Sequence, residues 1–177
     1  MGKVILRWGA VAGLAAGGAL SATVLLAGGH GPSGQAMAIG YTIMLVALST
    51  VFVAVKRRRD RALGGVIGFW PAFGLGIGIS AVAGLFYVAA WEAAVAAAHI
   101  DFGKSYAEAV IAQERAKGVS GAALAKVVAD MRTFQAQYAN PLYRLPMTFI
   151  EIFPVGALVS LIAAALLRNP RFAPARP

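Results

Sequence analysis

Two carboxylates stand inside runs of this sequence that are otherwise nearly free of charge: Glu92 in "FYVAAWEAAV" and Glu151 in "TFIEIFPVG". A carboxylate in apolar surroundings must turn toward other polar groups, pair with a cation or take up a proton, because burial penalises its charged form. Groups of the right type lie at helical spacing. His99 follows Glu92 by seven residues and Arg144 precedes Glu151 by seven, so each would share a helix face with its carboxylate. Pro154 has no N–H, which leaves the carbonyl of Ile150 without its usual donor beside Glu151, and Thr148 is close enough in sequence to join the same network. Glu92, Glu151 and Arg144, with His99, are therefore expected to form a buried polar cluster. Its chemistry would be either a lock between helices or a proton or cation relay. Two histidines and no cysteine make too thin a set of soft ligands, and no metal is expected.

Other catalytic patterns are missing. The spacing in "GLGIGIS" lies inside an apolar run rather than after a strand, so it is not a nucleotide fingerprint. Neither HExxH nor a nucleophile elbow occurs, and without cysteine there is no thiol nucleophile or disulfide frame. The expectation is a protein that is not an enzyme and uses no cofactor.

The elements that must hold the cluster follow from hydropathy. The 177 residues are 59% hydrophobic and only 13% charged, whereas soluble domains carry roughly a quarter charged residues. A membrane crossing needs roughly 17 to 25 apolar residues, and four runs qualify: about 4–27, 36–55, 71–98 and 146–167. The first begins with Lys3 and Arg7, like a secretory signal, but its apolar stretch is too long for one and is read as a retained span. "GGHGPSGQ", with His30, predicts a tight uncharged turn between the first two runs; "KRRRDRALGG" separates the second and third. Lys and Arg in short loops stay on the cytoplasmic side. That rule places Lys3, Arg7, the Arg57–Arg59 turn, Arg168, Arg171 and both termini inside a cell. The net charge of +9 sits at span ends rather than along one solvated face, so nucleic acid is excluded as the partner and the lipid bilayer is expected.

Between the third and fourth runs lies an outer segment of about 102–140. Leu124, Val127, Val128, Met131, Phe134 and Tyr138 recur at helical spacing opposite Lys126, Asp130, Arg132, Gln135 and Gln137. This predicts an amphipathic helix that starts near Ser120, after a shorter helix ending at Gly118. Its apolar face is expected on the membrane interface or on the tops of the spans. "NPLYRLP" then predicts a helix break before the last span, and residues 169–177 hold too many prolines to pack, which predicts disorder.

In lipid, helices associate through small residues that let backbones approach. Gly9, Gly13 and Gly17 make one such stripe, Gly76, Ser80 and Gly84 a second, and Gly156 with Ser160 a third. They are read as packing faces within one chain, while a homo-oligomer or another membrane protein as partner stays open. The fold class is thus all-α: a four-helix transmembrane bundle over residues 1–168 with an amphipathic extramembrane helical segment between the third and fourth spans.

The blocks "WGAVAGL", "IGYTIMLVALSTVFVAVKRRRD", "GGVIGFW", "GLFYVAAWE", "NPLYR" and "MTFIEIFPVGALVSLI" occur in order. Together they resemble the bacterial inner-membrane family known as domain of unknown function 4199, a likeness that runs from Trp8 to Arg168. The resemblance implies four transmembrane helices with a helical segment before the last. It implies no activity and assigns no site residue. The function expected from the residues is a structural, assembly or regulatory role in the bacterial inner membrane. The second reading is a small transporter or channel component with Glu92 and Glu151 as a proton or cation site.

Overall fold

The computed structural model describes residues 1–26 and 34–174 and contains only helices among them: α1 (Gly2–Leu26), α2 (Gly34–Ala62), α3 (Phe69–Ala97), α4 (Phe102–Ala116), α5 (Gly121–Tyr138) and α6 (Pro141–Leu167). Helices α1, α2, α3 and α6 are each long and apolar enough to cross a membrane. The expected turn around His30 lies outside the described residues. The start of α1 and the ends of α2 and α6 meet at one end, where Arg57 lies over the Trp8 ring and Arg59 reaches the carbonyl of Leu167. The four long helices therefore run alternately up and down, with α4 and α5 as a hairpin at the far end.

Helix α3 is central, packed against α1 on one side and α6 on the other. The stripe predicted in α1 faces α3. A Cβ on Gly9 would stand 2.5 Å from that of Val82, one on Gly13 would collide with the Ala83 carbonyl oxygen, and one on Gly17 would stand 2.7 Å from the Ala90 methyl. The stripe in α3 faces α6. A Cβ on Gly76 would stand 2.7 Å from the Ser160 Cβ, and one on Gly156 would stand 2.7 Å from the Ser80 Cβ. At this reciprocal crossing Ser80 and Ser160, both buried, hydrogen-bond each other at 3.1 Å. Gly84 leaves room for the Phe149 ring. These small residues thus pack helices of one chain, and close backbone approach replaces the hydrophobic drive that lipid removes.

Two boundaries differ from the expectation, each for a local reason. The basic run is not a loop. Helix α2 continues through Arg61 to Ala62, because straight-chain cations propagate a helix well. It stops where Gly64 and Gly65 take positive φ of 63° and 87°. The helix break that "NPLYRLP" predicts is present, since α5 ends at Tyr138, but the last long helix starts at Pro141 rather than at the expected 146. Asn140 caps it by accepting from the Leu142 N–H at 3.0 Å, Pro141 occupies the first turn where its missing N–H costs nothing, and the helix runs on through Pro146 and Pro154. The outer segment has the two predicted helices, with Gly118 at φ 86° after the first and Ser120 at the N-cap position of the second, though its hydroxyl makes no cap bond.

The apolar faces of α4 and α5 are turned largely toward each other. Tyr106 and Phe134 have ring centroids 5.2 Å apart, Phe134 and Tyr138 5.4 Å, and Phe102 and Tyr138 5.6 Å. Trp91 of α3 joins this row edge-on to Phe102 at 5.0 Å. The hairpin is therefore seated on the end of α3 by aromatic contact.

Candidate functional site

Because α3 and α6 are antiparallel, residues that ascend α3 meet residues that descend α6. Gly76 and Ser80 lie against Ser160 and Gly156, Gly84 against Phe149, Tyr87 against Glu151, and Glu92 against Arg144. The unbroken start of α6 is what brings Arg144 into this register. Its guanidinium grips Glu92 with both arms: Nε donates to Oε1 at 2.7 Å and Nη2 donates to Oε2 at 2.5 Å. A planar fork against a carboxylate is the strong form of such a pair. Both side chains are about a quarter exposed, at 22% and 28%.

The same guanidinium lies 5.8 Å from the centroid of the Tyr138 ring and points Nη1 at the Tyr138 carbonyl, 3.4 Å away. Tyr138 is buried, and its hydroxyl accepts from the Trp91 indole N–H at 3.1 Å. Burial pushes the Tyr138 phenol above its ordinary range. Three helices thus end in one knot: Trp91 and Glu92 from α3, Tyr138 from α5 and Arg144 from α6.

The other predicted members fall elsewhere. Glu151 does not meet Arg144. It lies two turns down α6, exposed on the outside of the bundle, where the Tyr87 hydroxyl donates toward Oε2 at a long 3.5 Å. His99 stands beyond the end of α3 with φ 53°, exposed, and its ring joins none of these bonds. A left-handed residue ends the helical phase, so the seven-residue spacing from Glu92 no longer places the two on one face. Thr148 donates to the Arg144 carbonyl at 3.0 Å rather than to Glu151. The four predicted residues are therefore one ion pair, one separate carboxylate and one solvated histidine.

A family model described as "Protein of unknown function (DUF4199)" matches residues 7–169. The chain belongs to the DUF4199 family. No curated protein and no solved structure matches it.

This DUF4199 chain has a second polar knot that sequence reading missed, at the opposite end. Arg59 is completely buried. Its Nε donates to Asp60 Oδ1 at 2.7 Å, and its two terminal nitrogens donate to the carbonyls of Leu167, Phe172 and Ala173 at 3.5, 2.9 and 2.5 Å. Asp60 also accepts from Lys56 at 2.5 Å. Arg59 so satisfies the last carbonyl of α6 and two carbonyls of the tail beyond it. The tail expected to be disordered is described through Pro174, and its Phe172 ring meets Phe52 edge-on at 6.4 Å. Helical phase carried the signal: Leu48, Val51 and Val55 are buried, and Arg59 is the next position on that stripe.

Proposed function

We propose that this DUF4199 chain is a multipass protein of the bacterial inner membrane, with both termini cytoplasmic, that acts through structure, assembly or regulation rather than catalysis. The observation that carries the reading is the closed crossing of α3 and α6 between the two polar ends. Gly76 and Gly156 leave no room there for a methyl group; Ser160 donates its hydroxyl to the Gly156 carbonyl at 2.7 Å and accepts from Ser80 at 3.1 Å, so both hydroxyls are occupied. A relay starting at Glu92 or Glu151 would need a polar path along its whole length, and at this level the helices touch and the two hydroxyls already have partners. Glu92 is neutralised by Arg144, as suits a lock between α3 and α6. The orientation is supported by the cations Lys3, Arg7, Lys56, Arg57, Arg58, Arg59, Arg61, Arg168 and Arg171 at one end, accompanied by Asp60 as the acid. On this reading α4 and α5 lie outside the membrane and are the part a partner would meet.

A transporter or channel component is the second reading. It is favoured by Glu151, a carboxylate on the outer surface of a span whose side-chain hydrogen-bond partner among the described residues is Tyr87, where several copies could line a path. Proteoliposomes separate the two. The structural role predicts no proton or cation flux above empty vesicles, and flux that disappears in the Glu92→Gln/Glu151→Gln protein would overturn it. Cysteines placed at Arg57 or Arg61 are expected to be labelled only from the cytoplasmic side.

A further inference from the structure

The seat of the hairpin forms an open cavity of about 510 Å³, within the size range of small-molecule sites. Its wall comes from the end of α3 (Val95), the start of α4 (Asp101, Phe102), the end of α5 (Arg132, Gln135) and Arg144 of α6. A second cleft of about 600 Å³ adjoins it, and Arg132 lines both. The charges divide in an informative way. Arg144 is spent on Glu92, whereas Arg132 has no ion-pair or hydrogen-bond partner among the described residues. Asp101 uses Oδ1 on the Lys104 N–H and leaves Oδ2 open. The cavity therefore presents one uncommitted cation and one uncommitted anion, with Gln135 able to donate or accept beside them.

Height is the second observation, and it rests on reading α3 and α6 as spans. A hydrocarbon core of about 30 Å takes roughly 20 helical residues, which, counted from Pro71 and from Arg168, end near Trp91 and Thr148. Val95 and Arg144 stand about 6 Å farther out, in the headgroup layer, which is about 5–8 Å thick on each side. We propose that this cavity binds a phosphate joined to a primary ammonium: the phosphate on Arg132 and Gln135, the ammonium on Asp101. The source this height favours is the headgroup of phosphatidylethanolamine.

Protein purified in a non-ionic detergent and stripped of lipid would be mixed with dihexanoyl phosphatidylethanolamine, phosphatidylglycerol or phosphatidylcholine, or with free phosphoethanolamine. Bound molecules are counted by native mass spectrometry. Phosphatidylethanolamine is expected to be retained over phosphatidylglycerol, which lacks the ammonium, and over phosphatidylcholine, whose methylated ammonium cannot donate to Asp101. Arg132→Ala, at an exposed position, should weaken retention about tenfold, the loss of a charge-assisted bond. Asp101→Asn, which can still cap α4, should erase the preference over phosphatidylglycerol. Equal binding of free phosphoethanolamine would support the chemistry and assign a soluble source; binding of the lipid alone assigns the bilayer. Equal retention of all three lipids, or full retention by an Arg132→Ala protein with unchanged circular dichroism, overturns the proposal. The span reading fails separately, if alkaline carbonate releases the protein from membranes without detergent.

Discussion

The crossing of α3 and α6 gives the sharpest test of how this bundle holds together. Replacing Gly76 with alanine puts a methyl 2.7 Å from the Ser160 Cβ and 2.8 Å from its Oγ. Carbon atoms rest at about 3.5–4.0 Å, so the two helices must separate by about 1 Å at this level. Such a gap forfeits a quarter to a half of each dispersion contact there. It also stretches the Ser80–Ser160 bond from 3.1 Å beyond hydrogen-bond range. Overpacking costs about 1–3 kcal/mol, and a buried hydrogen bond in a membrane protein averages about 0.6 kcal/mol. A loss of about 2–3 kcal/mol is expected for Gly76→Ala, and the same for Gly156→Ala, whose methyl meets Ser80. Unfolding of the purified protein in mixed micelles by added dodecyl sulfate, followed by circular dichroism, measures it. The decisive part is the rescue. Ser160→Gly should return the Gly76→Ala protein to within about 1 kcal/mol of the wild type, because the colliding Cβ is gone. It should do nothing for Gly156→Ala, which requires Ser80→Gly. A neutral Gly76→Ala, or rescue by the wrong partner, would refute the reciprocal crossing.

For Glu92 and Arg144, a double-mutant cycle with Glu92→Gln and Arg144→Gln in the same unfolding assay should give a coupling of about 1–3 kcal/mol. The cycle with Glu151→Gln in place of Glu92→Gln should give close to zero, since Glu151 meets Tyr87 instead. Arg59→Met removes the donors that hold the Phe172 and Ala173 carbonyls, and trypsin should then cut at Arg171 faster in detergent-solubilised protein; an unchanged rate would discount the clamp. Gly13→Leu, which drives a side chain into the Ala83 carbonyl, should abolish stable folding, while leucine at the exposed Gly18 should be tolerated in the same unfolding assay. The Tyr138 phenol is raised by burial, so the unfolded chain gives up this proton at a lower pH than the folded one. Stability is then lost as pH rises past about 10, and Tyr138→Phe should flatten that loss in the pH dependence of unfolding.

Much of the architecture was legible from the order of residues. Four apolar runs, the cations at their ends and the helical recurrence of Leu124, Val127, Val128, Met131, Phe134 and Tyr138 depend only on local chemistry and on a repeat of 3.6 residues. The small-residue stripes were legible as faces too. What each stripe touches was not, because Gly9, Gly13 and Gly17 could as well have met a second chain as Val82, Ala83 and Ala90.

The polar sites were decided by the tertiary structure. Spacing within one helix suggested Glu92 with His99 and Glu151 with Arg144, but the bonds that form run between helices, Glu92 to Arg144 and Glu151 to Tyr87. That exchange follows from the antiparallel register of α3 on α6, set by the Gly76–Ser160 and Gly156–Ser80 contacts far from any charge. Arg59 gives the same lesson from the other end. The sequence placed it in a basic turn, yet the carbonyls that hold it are contributed by residues more than a hundred positions away. Hydropathy and helical period act along the chain, so one sequence displays them; the partner of a charge is a property of distance in space, and only packing supplies it.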